Sequence, residues 1–486
     1  MEQKAGAQIG TKVFIQSVLI LLLLIICAGI LTRVLPAGSY QRTLENGRTV
    51  ISDYQTITRP DYPIWRWFTA PVEVLWGEDS LILITIIVFI LLVSGAFAVL
   101  QKSGILNAGL NKIVQKFGSR KYLLLAVLSL FFMILGGFFG LLEELIPLVP
   151  LIIALSYSLG WDALVGLGMS VLACNMGFSA AITNPFTIGV AQRLAGLPLF
   201  SGALLRLPVF AVFYAILILF LLGYARRIDR NPASSIVYEE GKARRNPGAL
   251  FHVDSDASQS KIGRAALMFA GFMLLIIVVL VSSPFLSENS SLSFLSDYAL
   301  PIVGILFFIG GLVAGFISGT PGRVIGGALK EGLLGMAPGI PMILMAASPK
   351  HIVTNGKVID TILHSASNAL ADTSPFTAVM IIFALALIVE FFVASAGAKA
   401  VLMMPILLPL ADLVGVTRQL AVTAYCFGDG FTNLAYPTNA ILLISLGLAS
   451  VSYTKWMKFT AKLWLAIFPL VALFLWLGTL IGFGPF

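Results

Sequence analysis

Charge is what this sequence has least of. Only 11% of its 486 residues are Asp, Glu, Lys or Arg, where a soluble domain carries roughly 25%. With 58% hydrophobic residues besides, the ordinary soluble classes are excluded. Cysteine and histidine are scarce too, with three of each. Cys27, Cys174 and Cys426 all lie in apolar segments, so there is neither a disulfide framework nor a metal-ligand spacing. His252 falls in a charged linker, and His351 and His364 fall in or beside an amphipathic stretch. No metal spacing links them, and they read as surface residues. There is no nucleotide-binding glycine loop and no nucleophile with a nearby base, so the chain is not read as an enzyme and no cofactor is expected.

What is abundant is apolar sequence in long runs. Phe14–Thr32, Ser80–Leu100, Leu204–Tyr224, Ala265–Leu286 and Trp464–Phe483 each approach or exceed the roughly 20 apolar residues that cross a bilayer. The first run is too long for a signal-peptide core and is expected to stay in the mature chain. The formal charge is +8, but the basic residues cluster at the ends of apolar runs, which points to membrane topology rather than nucleic acid. Lys4 and Lys12 put the N-terminus inside. The same rule puts inside Lys102, Lys112, Lys116, Arg120, Lys121, Arg226, Arg227, Arg230, Arg323, Lys330, Lys455, Lys458 and Lys462. The polar stretch Gly38–Asp79, Trp-rich at its end, falls outside. A bacterial inner membrane with a cytoplasmic N-terminus is the expected location.

These assignments constrain the middle of the chain. Between Lys121 and Arg226, both inside, the number of crossings must be even, yet three apolar blocks lie there. Tyr122–Gly160 must therefore return to its starting side. Its centre holds Gly136, Gly137, Gly140, Glu143 and Glu144. Glycines and carboxylates are costly in a continuous span but suit the tip of a re-entrant hairpin; the alternative is two short spans, which would put Glu143 and Glu144 at the far surface.

The sequence also repeats at an offset of 253 residues: Phe138-Phe139 recurs as Phe391-Phe392, and Gly177-Phe178-Ser179 as Gly430-Phe431-Thr432. Pro185 and Pro437 fall one residue out of step. An additional span, Tyr298–Ser318, precedes the second copy, so it enters the membrane with opposite polarity. The expected architecture is an all-α polytopic membrane protein with two inverted repeats, about nine spans and two re-entrant hairpins. Its units are residues 1–79, a first span and external loop; 80–224, with hairpin 122–160 and broken helix 162–192; 225–262, a cytoplasmic linker; 263–332, two spans; and 333–486, with hairpin 375–414 and broken helix 416–449. Inverted repeats with discontinuous helices are the architecture of secondary transporters.

The candidate site lies at the tips and breaks. Proline removes a backbone donor and frees a carbonyl one turn back, and unwound carbonyls can hold a cation while half-helix N-termini attract an anion. Asn175, Ser179, Thr183, Thr432, Asn433 and Thr438 are the ion-binding candidates, with Na⁺ or H⁺ as the ion. Glu143, Glu144, Asn184, Ser395, Gly397, Lys399, Asp429 and Asn439 are the substrate-binding candidates. The carboxylates suit an ammonium, a guanidinium or a proton; Lys399 suits a carboxylate, or an ion pair with Glu143. Glu390 lies just before the second tip. Arg206 reads as an interfacial anchor.

Several of these motifs carry a resemblance. Leu35-Pro36-Ala37-Gly38-Ser39-Tyr40, the Glu143-Glu144 tip, Asn184 to Gln192, Leu410 to Gln419, and Phe427 to Thr438 resemble the YfcC-type carriers. That family is also called C4-dicarboxylate anaerobic carriers or ArcD-like basic amino acid antiporters, in the ion-transporter superfamily. The sequence departs from the pattern at Ser395-Ala396-Gly397-Ala398-Lys399 and at Thr438-Asn439. The resemblance implies scaffold and transport domains, an elevator motion and a homodimer. Phe14–Pro36 and Ser80–Leu100 would belong to the scaffold, with Lys102–Lys121 and Asn355–Ser374 as connecting arms. The two family names imply different substrates. One cation against three carboxylates fits a basic amino acid such as arginine or ornithine; the alternative is a Na⁺- or H⁺-coupled dicarboxylate carrier.

Overall fold

A computed structural model describes residues 11–45, 48–77, 80–241, 256–282, 298–370 and 373–484. Lys4, His252 and the 242–255 portion of the expected linker lie outside the described residues. Ten helices in the described part are long and apolar enough to cross a membrane, and Pro375–Glu390 and Ala440–Ala449 are shorter apolar helices. The ten include Ala396–Leu413, the return arm of the expected second hairpin. The peripheral helices leave large apolar side chains uncovered, among them Leu81, Leu204, Leu267 and Leu465 at 74–82% exposure. Such surface is disfavoured in water and natural in lipid. Ala163–Ala195 is the reverse: its membrane-length window is wholly buried.

Inside an apolar bundle no water completes the first turn of a helix, so helix starts depend on side-chain caps. The inner helices have them. Asp162, Asn184, Ser374, Ser395, Thr417, Asn439 and Ser452 each accept a hydrogen bond from the backbone of the helix that follows.

The same order of elements occurs twice. Ser80–Lys102 leads to the amphipathic helix Ile105–Phe117, a chain reversal after Lys121–Ile134, an interrupted helix, and the long helix Ala203–Arg230. Gly339–Asn355 leads to Ile359–Leu370, a reversal after Pro375–Glu390, a second interrupted helix, and Tyr453–Leu480. Lys121 Nζ donates to Leu159 O at 3.3 Å, which joins the two ends of the segment between them. Gly322–Met336 is a separate helix packed on Ser80–Lys102, where Ser94 Oγ donates to Gly332 O.

Basic residues assigned to one face are joined there: Lys102 to Glu331 (3.8 Å), Lys121 to Asp229 (2.6 Å) and Lys455 to Glu240 (2.5 Å). At the other end of Ser80–Lys102 the all-α bundle carries a small non-helical feature that the sequence reading did not include. Gly38–Glu45 and Arg48–Thr56 form an antiparallel β-hairpin with an irregularity between Tyr40 and Arg42. It sits on the second amphipathic helix: Tyr54 stacks on His364 at 4.0 Å, and the backbone N–H of Tyr40 donates to Asp360 Oδ2. His364 and His351 are thus half-buried and partnered, not surface residues. His351 Nε2 lies 3.2 Å from Glu73 Oε2. Arg66 grips the same carboxylate and, with Thr69 and His351, holds Glu73 down to about 2.

Candidate functional site

Two reversals and two helix interruptions meet inside the bundle. At the first reversal Gly140 has φ +71°, and a Cβ there would stand 2.2 Å from Asn184 Oδ1. The first tip therefore touches the first break through glycine. Thr183 Oγ1 donates to Phe138 O across the same contact, and Cys174 Sγ to Leu141 O. The two interrupted helices cross at Gly430, where a Cβ would lie 2.3 Å from Ser179 Cα; small residues let helix backbones approach this closely. The second tip reaches both breaks. Gly397 faces Phe186 O, and the Phe391 and Tyr436 rings meet edge to face at 5.5 Å. Glu143–Leu148 packs against Ala440–Ala449, so the first tip touches the second break's half-helix as well.

The breaks run over 181–184 and 433–439. Asn184 Oδ1 accepts from Phe186 N and Thr187 N, and Asn439 Oδ1 from Ile441 N and Leu442 N. These asparagines are the structural counterparts. Pro185 follows its cap at the first helical position, where its missing N–H costs nothing, whereas Pro437 precedes its cap by two residues. That is why the prolines are out of step in the sequence.

The freed carbonyls have built-in donors. Arg206 is 1% exposed, not interfacial. Its guanidinium donates to Ala181 O, Ile182 O and Ser201 O, each at 2.9 Å. Ala181 sits at φ +45°, a left-handed conformation unusual for alanine. At the second break Trp456 Nε1 donates to Leu434 O (2.8 Å) and the Tyr453 hydroxyl to Ala435 O (2.6 Å). In both cases the donors come from the span that follows the break. Each of these four carbonyls thus already accepts a hydrogen bond from a protein donor.

The charged candidates separate into two groups. Lys399 is fully buried, and its ammonium pairs with Asp429 Oδ1 at 2.6 Å and with Glu390. The pair with Glu143 does not form. Glu143 and Glu144 are half-buried on the first tip and have no ion-pair partner among the described residues; Glu144 Oε2 accepts from Leu142 N. Glu143 lies within electrostatic reach of Asp429. Among the described residues Arg206 and Lys399 are the only buried basic side chains, and both are committed to partners.

The smaller polar candidates divide similarly. Ser179 and Thr432 back-bond to carbonyls one turn earlier, at Asn175 and Gly428. Asn433 Oδ1 accepts from Asn439 Nδ2, and Ser395, exposed, caps its helix. Asn175 and Thr438 are buried with side chains that make no hydrogen bond to described residues. The sequence reading left two contributors out of the site, Arg206 and Glu390. Each is one charge inside an apolar run, and that was the available signal.

A multi-pass helical bundle whose interrupted helices meet around buried ion pairs has the build of a membrane transporter. The profile of the C4-dicarboxylate anaerobic carrier family matches residues 14–480, and the chain belongs to that family. It is 31% identical over 392 residues to YfcC of Escherichia coli (strain K12), provisionally named a basic amino acid antiporter, covering 78% of this chain and 74% of that one. A Haemophilus influenzae protein is 25% identical over 413 residues, covering 83% and 76%. Among solved structures, the Alcanivorax borkumensis YdaH transporter aligns over 98% of both chains at 18% identity with a TM-score of 0.41. Neisseria gonorrhoeae MtrF aligns over 96% and 94% at 16% identity with a TM-score of 0.39.

Proposed function

We propose that this protein exchanges basic amino acids, of the arginine and ornithine type, across the bacterial inner membrane by an alternating-access elevator motion. The observation that carries the reading is the fate of the charges. Lys399, the one cation at the tips, is neutralised by Glu390 and Asp429, and Arg206 is spent on backbone carbonyls. The charges left half-buried are Glu143 and Glu144. A site with that balance attracts a guanidinium or ammonium and repels a dicarboxylate. The provisional name of YfcC is in accord with this.

In this reading the two tips and two breaks enclose the amino acid. The positive ends of the half-helices that begin at Asn184 and Asn439 attract its carboxylate through their dipoles, and Glu143 and Glu144 receive its side chain. The bundle slides against Thr11–Val34, Ser80–Lys102 and Gly339–Asn355, with Ile105–Phe117 and Ile359–Leu370 as connectors. The N-terminus is cytoplasmic, as the basic residues before the first span suggest, and the protein is a homodimer, as the family resemblance implies. The family's own description favours a second reading, a Na⁺- or H⁺-coupled C4-dicarboxylate carrier. Proteoliposomes preloaded with ornithine separate the two. The proposal expects labelled arginine to accumulate by counterflow without a sodium gradient. Succinate accumulation with no arginine movement under any gradient would replace it with the second reading.

A further inference from the structure

The charges around the second tip do not balance. Glu390 ends one hairpin helix, Lys399 lies in the first turns of the other, and Asp429 is on the interrupted helix that follows. None is more than 1% exposed. Two carboxylates against one ammonium leave one negative charge without a counterpart. Glu390 Oε1 and Asp429 Oδ2 accept no hydrogen bond from any described residue.

The surrounding groups do not correct the imbalance. Tyr425 and Cys426, about one turn before Asp429 on the same helix, are acids, and Glu143 within electrostatic reach of Asp429 is a third carboxyl, not a cation. Arg206 reaches Cys426 electrostatically but is bonded to carbonyls. Arg193 on the neighbouring half-helix is exposed, and Arg418 pairs with Asp412. Cys174 bonds to Leu141 O, while Asp360 and His364 are turned to the β-hairpin. An unpaired charge buried in a low-dielectric interior is relieved most simply by a proton. A sodium ion needs several oxygens, and the nearby carbonyl of Ala396 is already taken by the Tyr425 hydroxyl (2.5 Å).

We propose that Glu390, Lys399 and Asp429 form a proton-binding site that holds one proton between its two carboxylates, and that this proton leaves when a cationic substrate settles at Glu143 and Glu144. The arriving ammonium or guanidinium supplies the positive charge that the departing proton removes, so one cation exchanges for one proton. The second clause rests on the basic-amino-acid reading; the first does not.

Infrared spectroscopy of the substrate-free protein in lipid tests the first clause. The carbonyl stretch of a protonated carboxylic acid should be present at pH 7, disappear on strong alkalinisation, and weaken in Glu390→Gln and Asp429→Asn. The alkaline titration is repeated in a Glu143→Gln/Glu144→Gln chain, which removes the other unpaired carboxyls and leaves Glu390, Lys399 and Asp429 intact, so it decides even if the Glu390 and Asp429 variants misfold. No acid band in that double variant overturns the proton site, as does a band that persists when Glu390→Gln or Asp429→Asn is added to it in a folded protein. Calorimetry of L-arginine binding in two buffers of different ionisation enthalpy tests the second clause. It should show about one proton released per arginine, and none in Glu390→Gln. Arginine binding without proton release overturns the exchange while leaving the substrate reading intact. A protein that shows the acid band but binds no arginine supports the proton site and overturns the substrate reading.

Discussion

Replacing Arg206 with methionine should be among the most damaging single changes in this protein. Its guanidinium satisfies three backbone carbonyls at 2.9 Å, two of them at the first break, and holds Ala181 at φ +45°. Each orphaned buried carbonyl costs about 1–3 kcal/mol, while relaxation of the left-handed alanine returns roughly 1–2 kcal/mol. Removing the buried charge returns part of its own desolvation cost, several kcal/mol. The balance is a loss of about 2–4 kcal/mol, concentrated at the break. Arg206→Met should therefore unfold earlier in detergent and lose exchange activity. Arg206→Lys should fall between the two, because an ammonium keeps the charge but not the planar fork that spans adjacent carbonyls. Denaturant unfolding and proteoliposome exchange measure both effects. An Arg206→Met protein with parental stability and exchange rate would refute the role assigned here.

Glu143→Gln and Glu144→Gln should each weaken arginine binding roughly tenfold, the scale of one charge-assisted hydrogen bond, with little change in melting temperature; no change in either affinity would make these carboxylates structural. Gly140→Ala should abolish exchange, since its Cβ would sit 2.2 Å from Asn184 Oδ1 at a φ of +71°. Gly430→Ala should do the same by separating the crossed helices at Ser179; normal exchange rates in these two variants would count against tip-to-break and break-to-break contact. Outside the membrane-length helices, Glu73 is held below its ordinary value of 4.5, at about 2, by Arg66. A depressed carboxylate stabilises the fold above the unfolded value and loses that contribution as pH falls from 4.5 toward 2. Glu73→Gln should flatten the pH dependence of the melting temperature across that window, and an unchanged slope would show that the Arg66 grip contributes nothing.

The first reversal and both breaks were legible because each is written in residues that helices reject. Gly136, Gly137, Gly140 and the Glu143-Glu144 pair mark the tip; Asn184-Pro185 and Asn433 to Asn439 mark the breaks. The β-hairpin was legible as well and was missed: Asn46-Gly47 between alternating stretches is a strong hairpin signal. The partners of Arg206 and Lys399 were not readable. A long cationic side chain can reach several elements, and which carbonyl or carboxylate it meets depends on how helices distant in sequence pack. For the same reason Lys399 was paired in expectation with Glu143, while the fold gives it Glu390 and Asp429. The equivalence of Asn184 and Asn439 was hidden by Pro185 and Pro437, which look like partners and occupy different positions relative to their caps.

The central claim is that the site's free charge is negative and its ligand cationic. The most direct test is equilibrium binding of radiolabelled L-arginine to the purified protein, competed by ornithine or succinate, in the parent and in a Glu143→Gln/Glu144→Gln double variant. The account predicts saturable binding, displaced by ornithine and not by succinate, and largely lost in the double variant. Displacement by succinate, or parental arginine affinity in the double variant, would contradict it.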